Sequence, residues 1–189
     1  MKPPAVDSQP LPLSLQFLTP NTSLPMNDPI DTPIRGEILS TLESLIEINR
    51  DGQEGFRLAA ENAQATELKS VFSQYGSERG VMIGELQTLQ RQHGQTDVDD
   101  GGTVVGGLHR AWINLRSVIA SKNDQAILEE AERGEDAALD AYRDALKPAT
   151  PPFPRSITSV LEPHLSKVQA AHDDVRDRRD SGRYDVKDT

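Results

Sequence analysis

Apolar side chains recur at alternating intervals of four and three residues along four long stretches of this chain. Each stretch is broken near its middle or end by one polar residue. That spacing puts the apolar set on one face of a helix, and a face of that length needs other helices to cover it. The first stretch, 33–63, carries Ile38, Leu42, Leu45, Asn49, Gly52, Phe56, Ala59 and Ala63, with Thr32 as N-cap and Pro33 opening the helix. The second, 66–93, carries Leu68, Phe72, Tyr75, Arg79, Met82, Leu86 and Leu89, and Gly94 suits its C-terminal cap. The third, 124–147, follows Asn123 or Asp124 as a cap and carries Leu128, Ala131, Glu135, Ala138, Tyr142 and Ala145 before Pro148 stops it. The fourth, 154–180, carries Ile157, Leu161, Leu165, Val168, His172 and Val175, with Pro163 inside it as an expected kink. A shorter amphipathic helix, 104–121, stands between the second and third after the polar loop Gln95–Thr103. The pattern predicts an all-α, up-down four-helix bundle over 35–180 with a short extra helix in the crossover.

Composition agrees. Aromatic residues are only 4% of the 189, so the core must come from aliphatic and small side chains packed closely between helices. Eight of the thirteen prolines fall in 1–34. This segment reads as a disordered extension rather than a secretory signal, since Pro12 interrupts its apolar run Leu11–Leu18. Met26 opens a stretch with the character of a start, which leaves open whether 1–25 belong to the native protein; its intact mass tests this. Residues 181–189 read as a frayed tail.

Several chemistries are excluded outright. Without cysteine there is no disulfide, no thiolate catalysis and no Cys-based zinc or iron–sulfur site. A net charge of −10 argues against a nucleic-acid partner, and no run reaches the roughly 18–20 apolar residues that span a bilayer. No phosphate loop, nucleophile elbow or Ser/His/Asp set is present. Together these point away from an enzyme; a cytoplasmic protein that self-associates as a homo-oligomer is the expectation.

The four polar interruptions have a pattern of their own. Asn49, Gly52 and Phe56 hold the same relative positions as Glu135, Ala138 and Tyr142, so the two halves of the chain echo each other. This resembles the ferritin-like and rubrerythrin-like arrangement, in which a Glu seven residues before an aromatic and a Glu-x-x-His on the next helix are repeated to hold two metal ions. Carried onto this sequence, the ligand positions are Asn49, the pair Arg79 and Met82, Glu135, and the pair Gln169 and His172. Only Glu135 and His172 keep the expected ligand chemistry. The phrases DGQEGF (Asp51–Phe56), LHRAWINL (Leu108–Leu115), AERGEDAALDAYRDAL (Ala131–Leu146) and AAHDDVRDRRD (Ala170–Asp180) are similar to those of the bacterial DUF2383 four-helix-bundle proteins. That resemblance implies fold and bacterial origin but no activity.

Arg79 is a permanent cation with N–H donors and no acceptor, so it repels a divalent ion and needs a carboxylate. The expectation is a buried polar network of Asn49, Arg79, Met82, Glu135, Gln169 and His172 where metal would otherwise sit, with no cofactor. The alternative is weak iron or manganese handling through Glu135 and His172 with Glu132 and Glu78. A third reading gives the crossover helix, with His109, Arg110, Trp112 and Arg116, to a partner or membrane surface. His93 and His164 read as ordinary boundary histidines.

Overall fold

A computed structural model describes residues 32–95, 123–148 and 152–184. They form four helices and, among the described residues, no strand: α1 Thr32–Asn62, α2 Thr66–Gln92, α3 Asp124–Ala145 and α4 Arg155–Asp180. The expected N-terminal extension up to residue 31, the crossover helix 104–121 and residues 185–189 lie outside the described residues. Residues 181–184, expected to fray, continue as a turn in which Arg183 pairs with Glu67 at 2.9 Å.

The helix ends follow local chemistry. Asn123 caps α3, its side-chain oxygen accepting from the amides of Gln125 at 3.0 Å and Ala126 at 3.3 Å. Asp124, the other cap candidate, turns instead to the α1–α2 corner and accepts from the amides of Gln64 at 2.6 Å and Ala65 at 2.9 Å. Asn123→Ala is expected to cost about 1 kcal/mol, read from denaturant unfolding, because two amides of the first turn lose their acceptor. Gly94 ends α2 at φ 86°, the left-handed region that glycine adopts without strain. Helix α4 runs unbroken through Pro163, which lies on the exposed side; the missing amide only frees the Ser159 carbonyl, also exposed.

Contacts between the helix ends fix their directions. The start of α3 meets the end of α1 through Asp124, while Arg178 near the end of α4 pairs with Glu67 at the start of α2 at 2.5 Å. The helices therefore form a ring in the order α1, α2, α4, α3 with antiparallel neighbours. Helices α2 and α3 run in the same direction. At 1.5 Å per residue, Gln95 and Asn123 thus lie at opposite ends of the bundle, roughly 40 Å apart.

The predicted seams are largely the buried ones. All eight seam positions of α1 are buried, as are those of α2 except Tyr75 and those of α3 except Ala145. Helices α1 and α2 pack closely at Gly76, where a methyl would make ordinary van der Waals contact, 3.6 Å from the Gln53 carbonyl and 3.6 Å from Phe56 Cβ. On α4 the buried face is turned slightly from the predicted one. His164 and Ala171 are inside, and Leu165 is only half-buried. The core falls into two clusters. One gathers Ile38, Leu42, Leu45, Met82, Leu86, Leu161 and Val168, and the other Phe56, Phe72, Leu68, Leu128, Ala131 and Val175. Between them lies a polar layer.

Candidate functional site: a buried guanidinium–carboxylate layer

Three seam residues from three helices build this layer: Asn49 of α1, Arg79 of α2 and Glu135 of α3. Arg79 is 2% exposed and Glu135 0%, so neither charge is screened by bulk water. Arg79 Nη2 donates to both Glu135 oxygens, at 2.6 and 2.5 Å, and Nη1 donates to Asn49 Oδ1 at 3.1 Å. The stem of Arg79 crosses Gly52, where a methyl group would sit 3.5 Å from Nε. A methyl there is in ordinary contact with the stem, so a side chain larger than alanine would have to share space with Arg79. Burial drives the Glu135 carboxyl above the ordinary range, and the charge and hydrogen bond of Arg79 offset only part of that rise.

From Asn49 the network continues toward the surface. Asn49 Nδ2 donates to the Leu45 carbonyl at 2.6 Å and to the Tyr142 hydroxyl oxygen at 2.8 Å. That hydroxyl lies 3.0 Å from His164 Nδ1 and 4.0 Å from Met82 Sδ. His164 Nε2 lies 2.5 Å from Glu85 Oε2, a carboxylate 49% exposed. Burial pushes the Tyr142 phenol up to about 12. An unbroken hydrogen-bonded chain thus runs from the middle of the core to a groove between α2 and α4.

The sequence grouping and the structure differ at three residues. Gln169 is half-buried and faces Arg143, at 2.9 Å, and Asp173, at 3.1 Å. His172 places its two ring nitrogens 3.0 Å from Asp136 and 3.1 Å from Asp173. Neither hydrogen-bonds into the Arg79 layer: Gln169 is held by Arg143 and Asp173, and His172 by Asp136 and Asp173. His164, read as a boundary histidine, is 1% exposed and central. Its signal was its spacing: it lies three residues after Leu161 and four before Val168, the same rhythm as the seam. Glu132, an alternative metal ligand, is buried and pairs with Arg179, while Glu78 accepts from Gln74 at 2.9 Å. Among the described residues, no three His, Asp or Glu side chains gather as a group able to hold a metal ion. His109, Arg110, Trp112 and Arg116 lie outside the described residues.

Residues 37–148, more than half of the chain, match the family described as "Domain of unknown function (DUF2383)". The chain belongs to the DUF2383 family. No curated protein matches it. The matched range holds Asn49, Arg79, Met82, Glu85, Glu135 and Tyr142, so in this DUF2383 protein the ion pair and most of the chain leading from it fall within the family region. His164 and His172, on α4, fall beyond it. No described helix of this DUF2383 chain is long and apolar enough to cross a membrane.

Proposed function

We propose that this chain is a ferritin-like bundle in which a fixed guanidinium has taken the place of metal ions, leaving a non-enzymatic protein with a structural or stress-related binding role. The observation that carries the reading is Arg79 Nη2 set on both oxygens of Glu135 at the polar layer between the two core clusters. The parallel course of α2 and α3 and the echo between the two halves of the sequence support the ferritin-like assignment.

The residues at the six ligand positions do not fit a pair of divalent ions. Such ions take carboxylate and imidazole donors. Here Asn49 has its amide committed at both ends, Met82 offers a weak thioether, and Gln169 and His172 face Asp173. The remaining carboxylate, Glu135, is neutralised by Arg79. A divalent ion placed there would sit against a permanent cation in a site of low dielectric.

The reading carries a cytoplasmic, bacterial homo-oligomer with no nucleic-acid partner, and sedimentation of the full chain tests the self-association. The central test is elemental analysis of purified protein before and after incubation with excess iron(II) or manganese(II), followed by desalting. The expected result is metal well below one equivalent per chain. One or two equivalents retained would overturn the reading and favour iron or manganese handling.

A further inference from the structure

Hydrogen-bond direction in the chain from Arg79 to Glu85 is fixed by chemistry at one end. A guanidinium only donates. Arg79 Nη1 therefore requires Asn49 Oδ1 as acceptor, and Asn49 Nδ2 must be the atom facing Leu45 and Tyr142. The Tyr142 oxygen accepts from Asn49, so its single proton has two destinations, His164 Nδ1 at 3.0 Å or Met82 Sδ at 4.0 Å. Sulfur is the weaker acceptor, and the proton goes to Nδ1. That nitrogen must then be bare. The ring proton is left on Nε2, which donates to Glu85 at 2.5 Å.

We propose that His164 is a proton-operated switch that reverses the Tyr142 hydroxyl. With a neutral ring, Tyr142 donates to Nδ1. When a proton enters from the α2–α4 groove, Nδ1 becomes a donor. The Tyr142 oxygen then accepts from both Asn49 and His164, and its hydrogen must turn to Met82 Sδ. The inference stands on this accounting of donors and acceptors and does not rest on the proposed loss of a metal site.

The groups around His164 set the sign. From α2 it meets Glu85 and feels the charge of Arg79, from α3 it meets the Tyr142 hydroxyl, and from its own helix it feels Lys167; Asn49 of α1 and the Glu135 charge of α3 act on that hydroxyl. Burial disfavours the charged ring most strongly. Glu85 opposes this, while Lys167 and Arg79 add to it, and the net effect holds His164 below the ordinary histidine value of 6.5. The unfolded chain takes up its proton near 6.5, before the folded one does. The stability contribution of His164 is therefore present above 6.5 and is lost as pH falls toward the depressed folded value.

The test is the ¹⁵N-labelled full chain, with the four imidazoles followed by two-bond ¹H–¹⁵N correlation from about pH 8 to about pH 5. His164→Gln identifies the signal. The expected spectrum at neutral pH has a bare Nδ1 and a protonated Nε2, titrating below 6.5, with the Tyr142 ring signals moving at the same midpoint. Tyr142→Phe removes both the donor to the bare nitrogen and the acceptor of the protonated one; the charge-assisted bond is the stronger, so the proton affinity of His164 falls about threefold to tenfold. Met82→Leu, close in volume and mild for folding, removes the alternative seat for the hydroxyl hydrogen and lowers that affinity about twofold to threefold. A ring proton on Nδ1 at neutral pH, or a midpoint that neither substitution moves, overturns the proposal.

Discussion

Arg79→Ala is expected to destabilise the folded protein by about 3–5 kcal/mol, because it strands the Glu135 carboxylate in a water-excluded layer with no opposite charge. The wild-type pair is itself only modestly stabilising. Its Coulomb attraction at an intermediate effective dielectric is of order 4 kcal/mol, and desolvating two ions consumes much of that. Removing one partner is different, since the desolvation of the other remains uncompensated. The double substitution Arg79→Met with Glu135→Leu is expected to recover part of the loss, because it removes both buried charges while Asn49 Oδ1 loses its donor. Denaturant unfolding of the two variants beside wild type measures both effects. A single-variant loss below about 1 kcal/mol would mean that Glu135 finds water, contrary to its 0% exposure.

The second large effect is a gain. Asn49→Glu, Arg79→Glu, Met82→His and Gln169→Glu, made together, place four carboxylates and two imidazoles at the positions of the ferritin-like pattern, with Glu135 and His172 already present. Without metal, these like charges repel one another in a buried space and the bundle is expected to be largely unfolded. With manganese(II) or iron(II) it is expected to fold and to bind about two ions per chain. At metal concentrations near a thousand times the dissociation constant, the folded state gains about 4 kcal/mol. Far-ultraviolet circular dichroism with metal titration follows both outcomes. A variant that folds without metal and takes none up, or one that stays unfolded with it, would count against the ferritin-like reading of these positions.

The helices and their inward faces were legible because apolar spacing reports burial directly. Asn49, Arg79 and Glu135 stood out for the same reason, as polar residues in positions a covered helix face reserves for apolar ones. What the spacing could not resolve is rotation by one residue. On α4 the positions of His164 and Leu165 both satisfy a three-or-four rhythm, and at 3.6 residues per turn they differ by about 100° on the helix surface. The structure buries the histidine, because there it finds Tyr142 on one side and Glu85 on the other. Partner choice was equally hidden. His172 lies on the seam as expected, yet exposed Asp136 and half-buried Asp173 hold its ring nitrogens, a competition invisible without the neighbouring helix in place. Pro163 does not interrupt α4: it and Ser159, whose carbonyl loses a partner amide, are both exposed residues, where water can serve that carbonyl.

A crystal structure of the full chain grown with excess manganese(II), with anomalous diffraction recorded for that ion, tests the central claim most directly. The account predicts no anomalous peak within the bundle, and continuous density for a guanidinium whose Nη2 meets both oxygens of Glu135. A peak of full occupancy coordinated by Glu135 and His172, with Arg79 turned to the outside, would contradict it.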